Sequence, residues 1–186
     1  MKHYVKIPTE SAHRLINHGP LVLVSTHGKN GVYDVAPIAW NSPVHKSPPM
    51  MLVVVGKRHQ THENIEHANG FIVVVPHADQ LELVRRTGSV SGRDADKFKQ
   101  FGIETFRGHH VDALVPQDCV GFIECEVAQT IGIHQVSVFA GKVVSASADE
   151  EAFDQRLLSE SSAGKTLHHL GGSTFSVPSD RLMRWQ

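Results

Sequence analysis

The chain has 186 residues, a length at which one domain is the default and roughly 70% of the unfolded surface can be buried. Lysine plus arginine number 18 and aspartate plus glutamate 19, for a formal net charge of −1; this excludes a bulk electrostatic case for nucleic acid or an anionic membrane. The 2 cysteines cannot build a disulfide framework, no apolar run nears the roughly 20 residues of a membrane helix, and the start Met1 to Pro8 lacks the apolar core of a signal peptide. A single cytoplasmic domain over 1–186 is the expectation.

In chain order, Thr9 is placed to cap a short helix through Ile16. Leu21 to Val24, Met50 to Val55 and Phe71 to Val75 are short β-branched runs bounded by Gly, Pro or Asn. Each reads as a buried strand. Val32 to Ile38 pairs with the first of them through the turn Gly28-Lys29-Asn30-Gly31. Thr61 can cap a helix to about Ala68, Asp79 to Arg86 carries Leu81 and Val84 on one side, and Asp94 can cap a helix presenting Ala95, Phe98 and Phe101. Val120 to Val127 alternates, with Ile123, Cys125 and Val127 on one face and Phe122, Glu124 and Glu126 on a partly wet one; Val136 to Ser147 is similar. Asp149 can cap a last helix through Leu158, and Ser159 to Lys165 is the candidate mobile loop. Strands outnumber helices without a β-α-β rhythm, which argues for an antiparallel barrel with flanking helices over a doubly wound sheet.

The 14 histidines raise the question of a metal, and their spacing answers against one. His62 and His67 are five apart, which turns the second about 140° round a helix from the first, whereas a zinc-protease pair needs four. His59 and His62 find no second Cys or His pair at finger-like spacing. Cys119 and Cys125 read as inert core thiols. No Gly-x-Gly-x-x-Gly, P-loop or Gly-x-Ser-x-Gly occurs, so neither a dinucleotide domain nor a serine hydrolase is supported.

Two segments can carry chemistry. At Gly56-Lys57-Arg58-His59-Gln60-Thr61 a buried strand ends, two cations follow and a helix opens. A helix start with its free N–H groups, plus a guanidinium, can seat one phosphate; an ordinary capped helix with solvated cations is the alternative. Val35 to Pro43 leaves a strand as small residues broken by prolines, which would let a flat ligand approach the backbone closely; an ordinary strand end with a β-bend is the alternative.

Several stretches then line up in order: Gly19-Pro20-Leu21-Val22-Leu23-Val24-Ser25-Thr26, Val35-Ala36-Pro37-Ile38-Ala39-Trp40-Asn41-Ser42-Pro43-Val44, Pro48 to Val55, Thr61-His62-Glu63-Asn64-Ile65, Gly70 to Pro76, and Ser91-Gly92-Arg93-Asp94-Ala95-Asp96-Lys97-Phe98. From about Gly19 to Phe175 the chain resembles the flavin reductase-like family of FMN-binding split barrels, which includes flavoredoxins. The resemblance implies a mainly β fold with flanking helices: an antiparallel six-stranded split barrel with Greek-key connections, assembled as a homodimer with FMN near the subunit interface. It implies that Pro37, Ile38, Ala39, Trp40 and Asn41 lie along the isoalloxazine and ribityl parts of FMN, that Arg58, Thr61 and Asn64 hold its phosphate, and that Ser91 and Gly92 lie near the ring or close the pocket. His62 and His134 are the histidines expected to reach toward the flavin. The chain departs from the family's pattern at Val74, where many members have asparagine, and at Gly132-Ile133-His134, where many have Gly-Asp-His; His134 carries the nicotinamide-side role only through that altered segment. The implied activity is an NAD(P)H-dependent flavin reductase passing hydride through N5 of FMN to flavin or another acceptor, with FMN as prosthetic group or substrate. The alternatives are a flavoredoxin-like carrier serving a redox partner protein without NAD(P)H activity, and a non-redox FMN-binding module. No metal, nucleic-acid or membrane partner is expected.

Overall fold

The β-branched runs become the middle of a single antiparallel sheet. The computed structural model describes residues 19–183, together with Pro8 and Leu15; the Thr9–Ile16 helix reading lies outside the described residues. The main sheet contains β1 (Val22–His27), β2 (Tyr33–Ile38), β3 (Asn41–Lys46), β4 (Pro49–Gly56), β5 (Gly70–Val75), β8 (Gly121–Ile133) and β9 (Val136–Ala148), in the order β2-β1-β5-β8-β9-β4-β3. Around it lie helices α1 (Gln60–Ala68), α2 (Leu81–Ser89) and α3 (Lys97–Phe101) and the small pairs β6–β7 (Thr105–Arg107, Leu114–Pro116), β10–β11 (Phe153–Asp154, Arg156–Leu157) and β12–β13 (His168–Gly171, Thr174–Ser176).

The sheet has seven strands, not six. The extra one is β3, whose Pro43 and flanking prolines disguise it as a loop. It is an edge strand, where a missing N–H does no harm, and its pairing with β4 slips between Pro43 and His45. β2 and β3 lie at opposite ends of the hydrogen-bonded order, yet only Ala39 and Trp40 separate them. Three Cα steps reach about 11 Å at most, so the sheet must curl until its two edges meet without pairing. One apolar cluster accordingly joins Val22 and Val24 of β1 to Val53 and Val55 of β4, with Ile65, Phe71, Val73, Cys125 and Phe139 between them. Consecutive strands β4 and β5 are separated in the sheet by β8 and β9, with α1 crossing between.

Leu21, Leu23, Ile72 and Val74 point the opposite way and form a second cluster with Val84, Phe98, Val111, Ala113, Val115, Phe122 and Leu167. Thus β1 and β5 are buried on both faces, whereas β4, also read as buried, buries only its Val53 and Val55 side completely. The partly wet face expected for β8 fails at Glu124, which is 0% exposed. Its carboxylate accepts the N–H groups of His109, His110 and Val111 at 3.1, 2.7 and 2.8 Å. An acid can occupy the core there because three donors of an otherwise irregular loop converge on it. Burial pushes the Glu124 pKa up, but these hydrogen bonds outweigh it and hold the carboxyl below its ordinary value.

Three helix readings are corrected. The N-cap of α1 is His59, so Thr61 sits inside the first turn. Asp96, not Asp94, caps α3 by accepting the Lys99 N–H at 3.2 Å. Asp149 to Leu158 makes one turn and then the β10–β11 hairpin, so no helix follows Asp149. Residues 159–165 do form a loop, tied by Gly164 N–H to Ser161 Oγ at 3.0 Å and Lys165 Nζ to Ser159 O at 2.7 Å.

Candidate functional site

The end of β4, the start of α1, the strand β2 and the loop 90–97 converge on a small cavity of about 120 Å³. Of the residues singled out from sequence, Pro37, Ile38, Thr61, Ser91 and Gly92 line it; Asp34, His59, Gln60, Gly88 and Lys97 line it too. The α1 N-terminus opens into this seat with no side chain capping it, so the free N–H groups of its first turn are available to an anion. His59 is part of this mouth. Burial, and then the nearby charges of Arg58 and Lys97, lower its pKa against the opposing pull of Asp34, which leaves a neutral imidazole at pH 7.

Beneath the seat is a buried ion pair that sequence reading missed. Lys97 Nζ lies 2.8 Å from Asp34 Oδ1 and donates to the Val35 carbonyl at 2.8 Å, with side chains 3% and 1% exposed. Thr61 Oγ1 donates to Asp34 Oδ2 at 2.8 Å. Asp34 Oδ1 makes the ion-pair contact without receiving a hydrogen bond among the described residues. Gly92 packs directly on this oxygen: a Cβ there would overlap the Asp34 carboxylate. Asp34 offsets Lys97; Arg58 does not line the cavity, but its charge is felt at His59, which does, and it is exposed and enters no ion pair among the described residues.

Pro37 and Gly88 form the other wall. A Cβ on Gly88 would meet Pro37 Cγ at 2.9 Å, so α2 lies close against β2 there. Beyond them an apolar cleft of about 430 Å³ runs between α2 and the β12–β13 hairpin, lined by Leu21, Pro37, Ala39, Val84, Gly88 and Phe175 among others. Its size falls within the roughly 300–1,000 Å³ of small-ligand pockets. The two cavities share Pro37 and Gly88, so a polar seat and an apolar slot adjoin.

The remaining sequence candidates stand elsewhere. Asn64 is fully buried, donating to Thr26 Oγ1 at 3.1 Å and accepting from Gln60 at 2.7 Å; it braces α1 against β1 and does not line the seat. His62 also turns inward, with Nε2 2.9 Å from Ser137 Oγ, Nδ1 3.4 Å from Glu66, and its ring edge-on to Phe139 at 5.1 Å. Serine, histidine and acid thus align, but Ser137 is 3% exposed and lines none of the cavities described. The alignment is packing, not a nucleophile with access to substrate. Asn41 Nδ2 donates to the Pro20 and Ile38 carbonyls at 2.9 and 3.2 Å, fastening the β2–β3 link. Trp40 is 48% exposed on that link. His134 sits at the exposed tip of the β8–β9 hairpin with φ 46°, outside both cavities.

Among the described residues no group of three or more His, Cys, Asp or Glu side chains is placed to hold a metal, and no helix is long and apolar enough to cross a membrane. Burial pushes the Cys119 thiol up to about 11 and the Cys125 thiol up to about 12, and both cysteines are free.

Comparison with known proteins bears on this architecture. Protein YddH of Escherichia coli strain K12, which is uncharacterized, is 36% identical over 186 residues, spanning 98% of each chain. An FMN-binding domain of a flavin reductase-like enzyme from Shewanella baltica superposes with a TM-score of 0.79 at 29% identity, covering 96% of this chain and 95% of that one. The FMN-binding protein of Thermus thermophilus with bound 1-cyclohex-2-enone gives a TM-score of 0.85 at 21% identity over 99% of each chain, a likeness of fold. Residues 14–168 match the model of the flavin reductase like domain, and the chain belongs to that family.

Proposed function

We propose that this protein is an FMN-binding flavoprotein acting as an NAD(P)H-dependent flavin reductase. The observation that carries the reading is the junction at Pro37 and Gly88 of an uncapped, cationic helix start with an apolar slot. That is the shape of a ligand with a phosphate at one end and a flat ring system at the other. The seat fits a phosphate because no side chain caps the α1 N-terminus, which leaves amides of its first turn open to an anion. Ser91 and the first-turn amides, that of Thr61 among them, would hold the phosphate above the Thr61–Asp34 hydrogen bond, Arg58 would close over it, and Pro37, Ala39 and Phe175 would flank the ring. Bound FMN would supply the redox chemistry, accepting reducing equivalents from NAD(P)H and delivering them to flavin or another acceptor. The chain's part is to orient the ring in a largely apolar slot, and no catalytic side-chain acid or base is required of it.

The β8–β9 arm supports a homodimer. Val54, Val138 and Ile131 stand in one row across β4, β9 and β8, with Val136 and Ile133 in the next. Ile131 and Ile133 are 45% and 48% exposed. Beyond Glu126 the β8 edge has no β5 partner, and a second copy is the occupant that such a face and edge fit.

Anaerobic titration of the FMN-loaded protein with NADH and with NADPH tests the activity: loss of the flavin absorbance band with either is the expected result. Reduction by dithionite but by neither nucleotide would establish the electron-carrier reading, which the placement of His134 outside the cleft favours.

A further inference from the structure

His59 occupies the N-cap position of α1, at the mouth of the phosphate seat, in extended backbone with φ −87° and ψ 146°. A good N-cap side chain accepts a first-turn N–H; that of His59 accepts none. Its ring lies instead against the end of β4, where a Cβ on Gly56 would meet Cδ2 at 2.7 Å and Nε2 at 3.1 Å. Glycine at 56 thus leaves the imidazole room to rest on the strand end and line the seat beside Val55, Gln60 and Thr61. Among the described residues no partner holds its ring nitrogens.

The charge around this ring changes sign when an anion arrives. Arg58 beside it, Lys97 from the floor and Arg93 from the loop 90–97 act on it as cations, opposed by Asp34. Asp34 offsets Lys97 at 2.8 Å, and Glu63, one turn along α1, faces Arg93 at 3.5 Å. The uncapped helix start adds partial positive charge of its own. Burial and this positive surplus disfavour an imidazolium, so His59 is neutral at pH 7. A phosphate monoester carries close to two negative charges at that pH. Held in the seat that His59 lines, it turns the surplus into a deficit and rewards a charged N–H donor. Carboxylates, lysines and arginines ordinarily titrate outside pH 6.5–8.5, and the monoester's own second pKa is about 6, so an imidazole is the group suited to gain a proton in that window.

We infer that His59 is a binding residue of the seat that takes up a proton as the phosphate binds, which couples ligand affinity to pH. The inference rests on the flavin reading of the seat. Isothermal titration calorimetry of the full chain with FMN, in two buffers of different ionisation enthalpy, counts the protons. At pH 7 wild type should take up about half a proton or more per FMN, and its affinity should fall at least about threefold from pH 6.5 to 8.5. His59→Gln keeps an N–H donor but cannot titrate; it should take up about none, with affinity constant within about twofold over that range. His59→Lys carries its charge without the uptake, and should bind FMN severalfold more tightly than His59→Gln at pH 8.5. Wild-type uptake below about 0.2 proton, a wild-type pH dependence that His59→Gln retains, or His59→Lys binding no more tightly than His59→Gln overturns the inference while sparing the flavin reading. Failure of FMN to bind wild type overturns that reading and the inference together.

Discussion

Replacing Lys97 by methionine tests the floor of the site. The substitution keeps the aliphatic stem but removes the charge 2.8 Å from Asp34 Oδ1, leaving a carboxylate that is 1% exposed with Thr61 as its remaining side-chain partner. Breaking a buried pair from one side costs about 3–5 kcal/mol, because the surviving charge is neither solvated nor compensated. The lost hydrogen bond to the Val35 carbonyl belongs to that sum. For a chain of this length each kcal/mol moves Tm by about 2–4 °C, so Lys97→Met should lower it by roughly 6–20 °C. Urea unfolding followed by circular dichroism reads the free energy directly. The double variant Asp34→Asn/Lys97→Met should recover at least half of the loss, since it removes the orphaned charge. A single variant that loses less than about 1 kcal/mol, or a double variant no more stable than the single, would refute the claim that Asp34 and Lys97 form a mutually dependent buried pair.

Glu124→Gln keeps one acceptor for the three loop amides but removes the charge, and should cost about 1–3 kcal/mol at pH 7. Because the folded-state carboxyl lies below its ordinary value, its contribution is complete above the unfolded pKa of about 4.3 and is lost as pH falls through the folded value. The variant's stability should therefore fall less steeply than wild type's below about pH 5, and parallel acid profiles would contradict this. With Cys119 and Cys125 pushed to about 11 and 12, about one thiol in a thousand or fewer is ionised at pH 8. Iodoacetamide should label neither in the native protein within the time that it labels the urea-unfolded chain, and equal rates would show the thiols to be accessible. Gly92→Ala should destabilise by about 1–3 kcal/mol, because the pinned Asp34 carboxylate cannot move aside; unchanged stability in urea would show the wall to be soft.

The central strands were legible in sequence because apolar runs such as Phe71 to Val75 have no other way to bury both faces. The helix start after β4 was legible in position, since it needs only a strand end, cations and a helix within a few residues, but Thr61, read as its cap, lies inside the first turn behind His59. β3 was hidden by Pro43, which local propensity counts against any strand but which an edge position tolerates. Glu124 and Asp34 were hidden for a related reason. Whether an acid is on a wet face or in the core depends on donors supplied by distant segments, the 109–111 loop in one case and Lys97 in the other. Asn64 and His62 had the right neighbours in sequence but face inward. Their helix presents Thr61, His62, Asn64 and Ile65 to the interior, and only Thr61 of these reaches the seat. The apolar slot depends on Phe175 and the β12–β13 hairpin, nearly 140 residues beyond Pro37 (175 − 37 = 138), a separation that local patterning cannot bridge.

The account turns on whether FMN occupies the seat and slot joined at Pro37 and Gly88. Equilibrium dialysis of the purified chain against FMN, repeated with Arg58→Ala/Thr61→Ala, measures this most directly. One FMN per chain, with affinity falling at least about tenfold in the double variant while its unfolding free energy stays within about 2 kcal/mol of wild type, is the predicted result. A wild-type chain that takes up no FMN, or a double variant that binds it equally well, would contradict the account.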